Sequence, residues 1–435
     1  MKTNFKYIVS ILIFSFCICS DQIPGKVQSN AIVLKNGTIH TISDSTFKGD
    51  LKFKDGKIVK IDTKIRTFNT DRVIDISNLH VYPGLIAPST TIGLVEINAV
   101  RATQDYREVG LFNPNVIAAK AYNPDSELIP VTRSNGILMV HTIPKGGRIS
   151  GSSSIMMLDG WTWEEATLKS PAGIHINWPR INLPKEDEES SKVNKNIKEK
   201  KESSKVNKNI KQLEEFFKKA KSYYETKKLN QNIEIDLKLE SMIPVFDKTI
   251  PLFIHTNRYE QIRSSIYFTK LFDVKMVLVG GADSYLLTEL LLENNIPVIY
   301  EHPLSTPMRR NDPYDLKYKI PKLLYDAGVQ FCISGSSSNF ESPHQRGLPY
   351  EAGMAVAFGL PHKEGLKSLT LNSAKILGID NQVGSLEVGK DATLIITSGD
   401  PFLFETQVLQ AFIQGRDVDL NDRHKMLRDK YNQKY

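Results

Sequence analysis

"LTLNSAKILGIDNQVGSLEVGKDATLIITSGDPF", Leu369 to Phe402, decides how this 435-residue chain is assembled. Within it, "VGSLEVGKDATLIIT" alternates apolar and polar residues between glycines, the pattern of half-buried strands bounded by turns. "QVLQAFIQGRDVD" continues in the same style. Strands of this kind do not extend a parallel barrel. They can complete a sheet begun elsewhere.

Their counterparts lie at the other end of the chain. "AIVLKNGTIHTI" and "LKFKDGKIVKID" each place a turn dipeptide, Asn36-Gly37 and Asp55-Gly56, between alternating apolar runs. Asn, Asp and Gly accept positive φ, so each dipeptide signals a hairpin and the segment a small antiparallel sheet. Residues 28–82 and 382–420 are expected to form one composite β-sandwich from both chain ends.

The texture changes over residues 83–381. Short apolar runs ("GLIA", "GILMVHTI", "SSIMML", "PLFIHT", "KMVLVGG", "IPVIYEH", "VQFCIS") alternate with helical stretches such as "YEQIRSSIYFTKLF" and "IPKLLYDAG". That alternation implies parallel pairing, and its length suits a (β/α)8 barrel. A doubly wound open sheet is the alternative, but no Gly-rich dinucleotide turn accompanies it. The expected fold class is therefore α/β: a (β/α)8 TIM barrel inserted into a small β-sandwich formed by both chain ends.

Two segments stand apart. In residues 185–228 the unit "SSKVNKNI" occurs twice, at Ser190 and Ser203, a tandem duplication with fourteen lysines against nine acidic residues. It reads as a solvated insertion in the barrel, disordered at first and helical by "QLEEFFKKAKSYYE". Most of the net charge of +7 sits there, and no nucleic-acid-binding motif is present. Residues 1–19 have a basic start, Lys2 and Lys6, then the apolar run Tyr7 to Ile18 and small residues after it. This is a signal-peptide pattern, too short for a transmembrane helix, and it implies a periplasmic or secreted protein. Cys19 is also the position a lipid anchor would use. Cys332 is then the one cysteine of the mature chain, and in "VQFCI" it reads as a small buried hydrophobe.

Chemistry is expected where barrel strands end, because loops converge there. The polar residues at those ends are Ser89 and Thr91, His141, His255, Asp283, Glu301 and His302, and Ser334 to Ser337. The nine histidines show no H-x-H, H-x3-H or H-E-x-x-H spacing. His141, His255 and His302 could still meet across a barrel mouth as a non-standard single-zinc site; otherwise each bonds a loop or lines a pocket. The loop "IPKGGRISGSSS" could cradle an anion or form a tight turn. Arg309 and Arg310 could clamp a carboxylate or lie ion-paired in a loop.

Several of these segments, in order, resemble the metal-dependent amidohydrolase superfamily, in particular its imidazolonepropionase-like branch. "VLKNGTIHTI" and "FKDGKIVKI" look like its opening sandwich, "VYPGLIAPSTTIG" like its first barrel strand, "PLFIHT" like its fifth, and Leu369–Phe402 like its closing segment. The resemblance implies hydrolysis of a non-peptide carbon–nitrogen bond, of cyclic amide type, by metal-bound water. It also implies where the ligands belong. The histidine pair after strand one falls on Ser89 and Thr91, and the aspartate before it on Ala87. The fifth-strand histidine is His255. The sixth-strand position falls near Gly280 and Gly281, the eighth-strand aspartate near Gly335, and the fourth-strand ligand is not placed. Hydroxyls and glycines do not replace imidazoles and carboxylates around a transition metal. A degenerate metal site with no cofactor is expected, with His255 as general base and Asp283 or Glu301 assisting if the protein is catalytic. His141, His302, Arg309 and Arg310 would bind the ligand. The competing expectation is a non-catalytic ligand-binding or scaffold subunit. A small molecule is the expected partner in either case, and a homo-oligomer or a pairing with an active paralogue is left open.

Overall fold

The computed structural model describes residues 22–180, 192–229 and 233–434. The leader and the first residues of the Lys-rich insertion fall outside the described residues.

Strands β1 (Ile32–His40), β2 (Thr46–Lys54) and β3 (Lys57–Asp62) form an antiparallel meander. Asp55 and Gly56, at φ 51° and 77°, close the β2–β3 hairpin as the sequence implies. Asn36-Gly37 does something else. It lies inside β1, where the register shifts between Leu34 and Gly37. The positive φ of Asn36, 66°, makes a bulge rather than a turn. A Cβ on Gly37 would stand 2.3 Å from the Ile76 side chain, so the bulge needs glycine there. Nor is the sheet purely antiparallel: β4 (Arg72–Asp75) and β5 (His80–Pro83) pair with β1 in parallel.

The second sheet is a nearly closed barrel of eight strands: β6 (Leu85–Thr90), β7 (Ile137–Thr142), β8 (Ile149–Met157), β9 (Thr167–Asn177), β10 (Leu252–Thr256), β11 (Met276–Gly280), β12 (Val298–Glu301) and β13 (Phe331–Ser334). Ser334 Oγ donates to the Ser89 carbonyl at 3.2 Å, tying β13 back to β6. The barrel departs from the expected all-parallel pattern at β8, which is antiparallel to both β7 and β9. The cause is local. Only Ile143–Arg148 joins β7 to β8, too little chain for a crossover helix. Gly146 and Gly147, at φ 88° and 60°, turn it back as a hairpin.

Outer helices bury one face each. Tyr259–Phe272 turns Ile262, Ile266, Phe268 and Phe272 inward. The Lys-rich insertion is helical from Lys192 to Lys228, earlier than expected. Its second half is docked rather than solvated: Leu213, Phe217, Ala220 and Tyr223 are buried at helical spacing, and the Phe217 ring sits 4.9 Å from Phe268 and 5.2 Å from Phe272. After β13 the chain returns to the first sheet. β14 (Leu394–Thr397) pairs with β5, and β15 (Val408–Ile413) and β16 (Arg416–Val418) follow antiparallel. Both chain ends thus build one sheet, in the order β16-β15-β14-β5-β1-β2-β3 with β4 beside β1. The sheet curls until Phe53 of β2 meets Phe412 of β15 at 5.0 Å, over a core with Leu34, Leu51 and Leu394. No helix among the described residues is long and apolar enough to cross a membrane.

Candidate functional site

The strand ends at the C-terminal mouth of the barrel are joined by side-chain bonds. Ser89, ending β6, donates to Glu301 Oε1, ending β12, at 3.0 Å. Thr91 bonds Ser342. Lys145, in the β7–β8 turn, reaches across to Ser337 Oγ, just past β13, at 2.9 Å. Burial pulls the Lys145 ammonium below the usual lysine range, and the nearby Glu301 charge pushes back.

Below these lie three histidines. His175 Nδ1 and His255 Nε2 share one hydrogen bond, 2.9 Å long. His175 is 1 % exposed and stacks on Phe253 at 4.8 Å, and His141 packs against both, 5.4 Å from His175 and 4.8 Å from Phe253. His141 Nδ1 donates to the Pro88 carbonyl at 2.8 Å, which leaves Nε2 to accept from Ser153 at 2.7 Å. Burial pushes His141 down to about 4. Burial, then the Lys145 charge and His141, push His255 down to about 3. Burial, then His255, His141 and Lys145, carry His175 well below the ordinary histidine range. All three rings are therefore neutral at pH 7.

Of the residues singled out in the sequence, Ser89 bonds Glu301, and Ser337 from the hydroxyl run bonds Lys145, whose charge acts on His255. Others are engaged elsewhere. Asp283 and Arg309 bond each other through both carboxylate oxygens, and Asp283 also accepts the Tyr259 N–H at 2.9 Å. Asp283 is 1 % exposed, so this carboxylate caps the start of the Tyr259–Phe272 helix instead of moving protons. The Arg309 fork is filled by it, and Arg310 is exposed. His302, at φ 56°, turns to Glu351 at 2.8 Å and pins its loop to the helix Leu348–Ala357. With both nitrogens of His141 bonded and His302 turned away, the three-histidine zinc arrangement is not supplied by this geometry. Cys332 is fully buried and its thiol is pushed up to about 12, as befits a core residue.

Lys145 lies in the loop singled out as an anion cradle or a tight turn; the residues the sequence reading passed over are His175 and Asn177. Asn177 Nδ2 donates to the carbonyls of Gly146 and Gly147, both at 3.2 Å, and so fixes the turn that carries Lys145. The signal was present in "GIHINW", an alternating run that is the end of β9, the fourth barrel strand.

The family's metal does not fit these donors. The Ser89 hydroxyl is committed to Glu301, Thr91 to Ser342 and His255 Nε2 to His175. A Cβ on Gly280 would lie 2.6 Å from Asn257 Oδ1, and one on Gly335 would lie 2.9 Å from Gln345 Oε1. A larger side chain at either position would therefore meet a neighbour at once. Among the described residues no three His, Cys, Asp or Glu side chains are grouped to hold a metal ion. A cleft of about 750 Å³ lies at the opposite end of the barrel, lined by Lys169, Pro251, Met276 and Gly378, and no mouth residue lines it.

Comparison with known proteins agrees with this architecture. The family model described as "Amidohydrolase family" matches residues 327–421. A crystal structure of an amidohydrolase from Thermotoga maritima MSB8 superposes with a TM-score of 0.78 at 27% identity, covering 89% of this chain and 99% of that one. A protein named 5'-deoxyadenosine deaminase from Methanobrevibacter smithii is 22% identical over 385 residues, covering 85% of this chain and 84% of its own length. A prolidase crystallised with N-methylphosphonate-L-proline shares the fold at 14% identity and a TM-score of 0.53, covering 89% of this chain and 99% of that one. The curled sheet and the nearly closed barrel are the architecture these proteins share. The C-terminal part of the chain thus matches the amidohydrolase family model, and its fold is that of the amidohydrolase from Thermotoga maritima.

Proposed function

We propose that this protein is an exported member of the superfamily, of the imidazolonepropionase-like branch, whose barrel mouth binds a small molecule without a transition metal. The curled sheet is read as that branch's sandwich. The observation that carries the proposal is the donor set: hydroxyls that already bond one another, a single histidine at a family position, and an ammonium among them. Export rests on the leader pattern of residues 1–19.

A second reading keeps hydrolysis of a non-peptide carbon–nitrogen bond. It is favoured by His255, which bonds His175 and feels the Lys145 charge, which in turn feels Glu301. A base so far below neutrality is a poor proton acceptor, which places this reading second. The two are separated by assaying metal-stripped protein against lactams, cyclic imides and N-acyl amino acids. Ligand-dependent stabilisation without turnover supports the binding protein. Turnover that is lost in His255→Ala supports the hydrolase. Expression with residues 1–19 present, followed by fractionation and mass measurement of the mature N-terminus, tests export; retention of the leader in the cytoplasmic fraction opposes it.

A further inference from the structure

We propose that the Lys145 ammonium is the resident cation of the barrel mouth, and that the mouth binds a small carboxylate through Lys145 and Ser337. The proposal rests on the metal-independent reading above and names the ligand class for the same site.

Lys145 is an incompletely matched cation. An ammonium has three N–H donors. Among the described residues one goes to Ser337 and none to a carboxylate within ion-pair distance. A partly buried charge without a counter-ion is costly, and such groups are kept where a ligand completes them. Burial lowers the affinity of Lys145 for its proton, and the Glu301 charge offsets this only in part. Ser337 is 4 % exposed and accepts from Lys145, so its own O–H is directed elsewhere, and no acceptor for it is present among the described residues. Ammonium and hydroxyl together offer a carboxylate two donors.

The cation is held in place before any ligand arrives. Its turn is fixed by Asn177, by Ser150 Oγ donating to the Gly146 carbonyl at 2.7 Å, and by the Lys145 N–H bonding the Tyr106 carbonyl at 2.7 Å. Preorganised donors lose little freedom on binding. Two deeply buried polar atoms of the same region also lack partners among the described residues, His175 Nε2 and Gln345 Oε1. Gln345 packs against Gly335, at the strand end that leads to Ser337. Glu301 sets the other half of the preference. Its charge acts on Lys145, and it takes one donor from Ser89 and accepts further donors. A carboxylate that also carries an N–H, as in an N-acyl amino acid, meets both.

The test uses N-acetylglycine and its uncharged analogue N-acetylglycinamide, with calorimetry and thermal melting on chelator-treated protein. We expect the acid to bind at least about tenfold more tightly than the amide, and Lys145→Met to remove that difference. Lys145→Met should melt at or above the wild-type temperature, since an unpaired charge is gone. Should that variant fail to fold, Ser337→Ala provides the second test and should weaken the acid more than the amide. Equal binding of acid and amide by the wild type, binding of neither, or undiminished acid binding in a folded Lys145→Met protein overturns the proposal. Acid binding that vanishes on chelation and returns with zinc overturns the metal-independent reading instead.

Discussion

A row of three imidazoles holds the barrel interior together only while the rings stay neutral. His141, His175 and His255 all have folded pKa values below the unfolded value of about 6.5. The unfolded chain therefore binds more protons as pH falls from 6.5 towards 4, and stability drops through that window. Each ring contributes up to about 1.4 kcal/mol per pH unit there. His302 and His362 act in the opposite sense, because Glu351 and Asp400 raise their pKa values and stabilise the fold at lower pH. Half-buried His40, pushed down to about 4, sides with the triad. We expect the urea midpoint to fall between pH 7.5 and 5, and His175→Phe, which keeps the stack on Phe253, to make the fall shallower. A midpoint that stays flat over this range contradicts the neutral triad. Arg309 supports a different contact. Arg309→Met leaves the buried Asp283 carboxylate without its cation and should cost roughly 2 kcal/mol in chemical denaturation, with little change at the mouth.

Strand direction and turn chemistry place the site. The tight β7–β8 turn reverses β8 and delivers Lys145 to the mouth, a position no crossover helix would provide. Gly147→Ala would put a Cβ 2.9 Å from the carbonyl oxygens of Gly110 and Leu111 at φ 60°. It should cost about 1–3 kcal/mol in melting and weaken carboxylate binding with it. The insertion divides at its middle. Deleting one repeat, residues 190–202, should leave the melting temperature near wild type. Phe217→Ala, which opens the aromatic cluster with Phe268 and Phe272, should cost about 3–5 kcal/mol. Much of this layer could be read in advance, since seven of the barrel's strands announce themselves as short apolar runs. β9 did not, because His175 and Asn177 interrupt its apolar character although both face functional neighbours. Asn36-Gly37 misled for a related reason. Positive φ serves a bulge as well as a turn, and the Ile76 contact that selects the bulge is tertiary.

At the scale of the whole molecule, two sheets share the work. The curled sheet joins the chain ends, and the barrel it frames brings distant residues to one mouth: Ser89 to Glu301 and Lys145 to Ser337. The resemblance drew attention to Ser89, Thr91 and Gly335 at the strand ends, because the closing segment fixed the frame. It could not show the partners of those positions, since Lys145 and Gln345 approach from a turn and a short helix distant in sequence. Asp283 and Arg309 looked like separate functional groups for the same reason; only folding shows that each satisfies the other. The central claim is that this mouth carries its charge on its own side chain. Elemental analysis after saturation with zinc or manganese and removal of free ion tests it most directly. We expect far less than one equivalent of any transition metal per chain; a full equivalent that is lost in His255→Ala contradicts the claim.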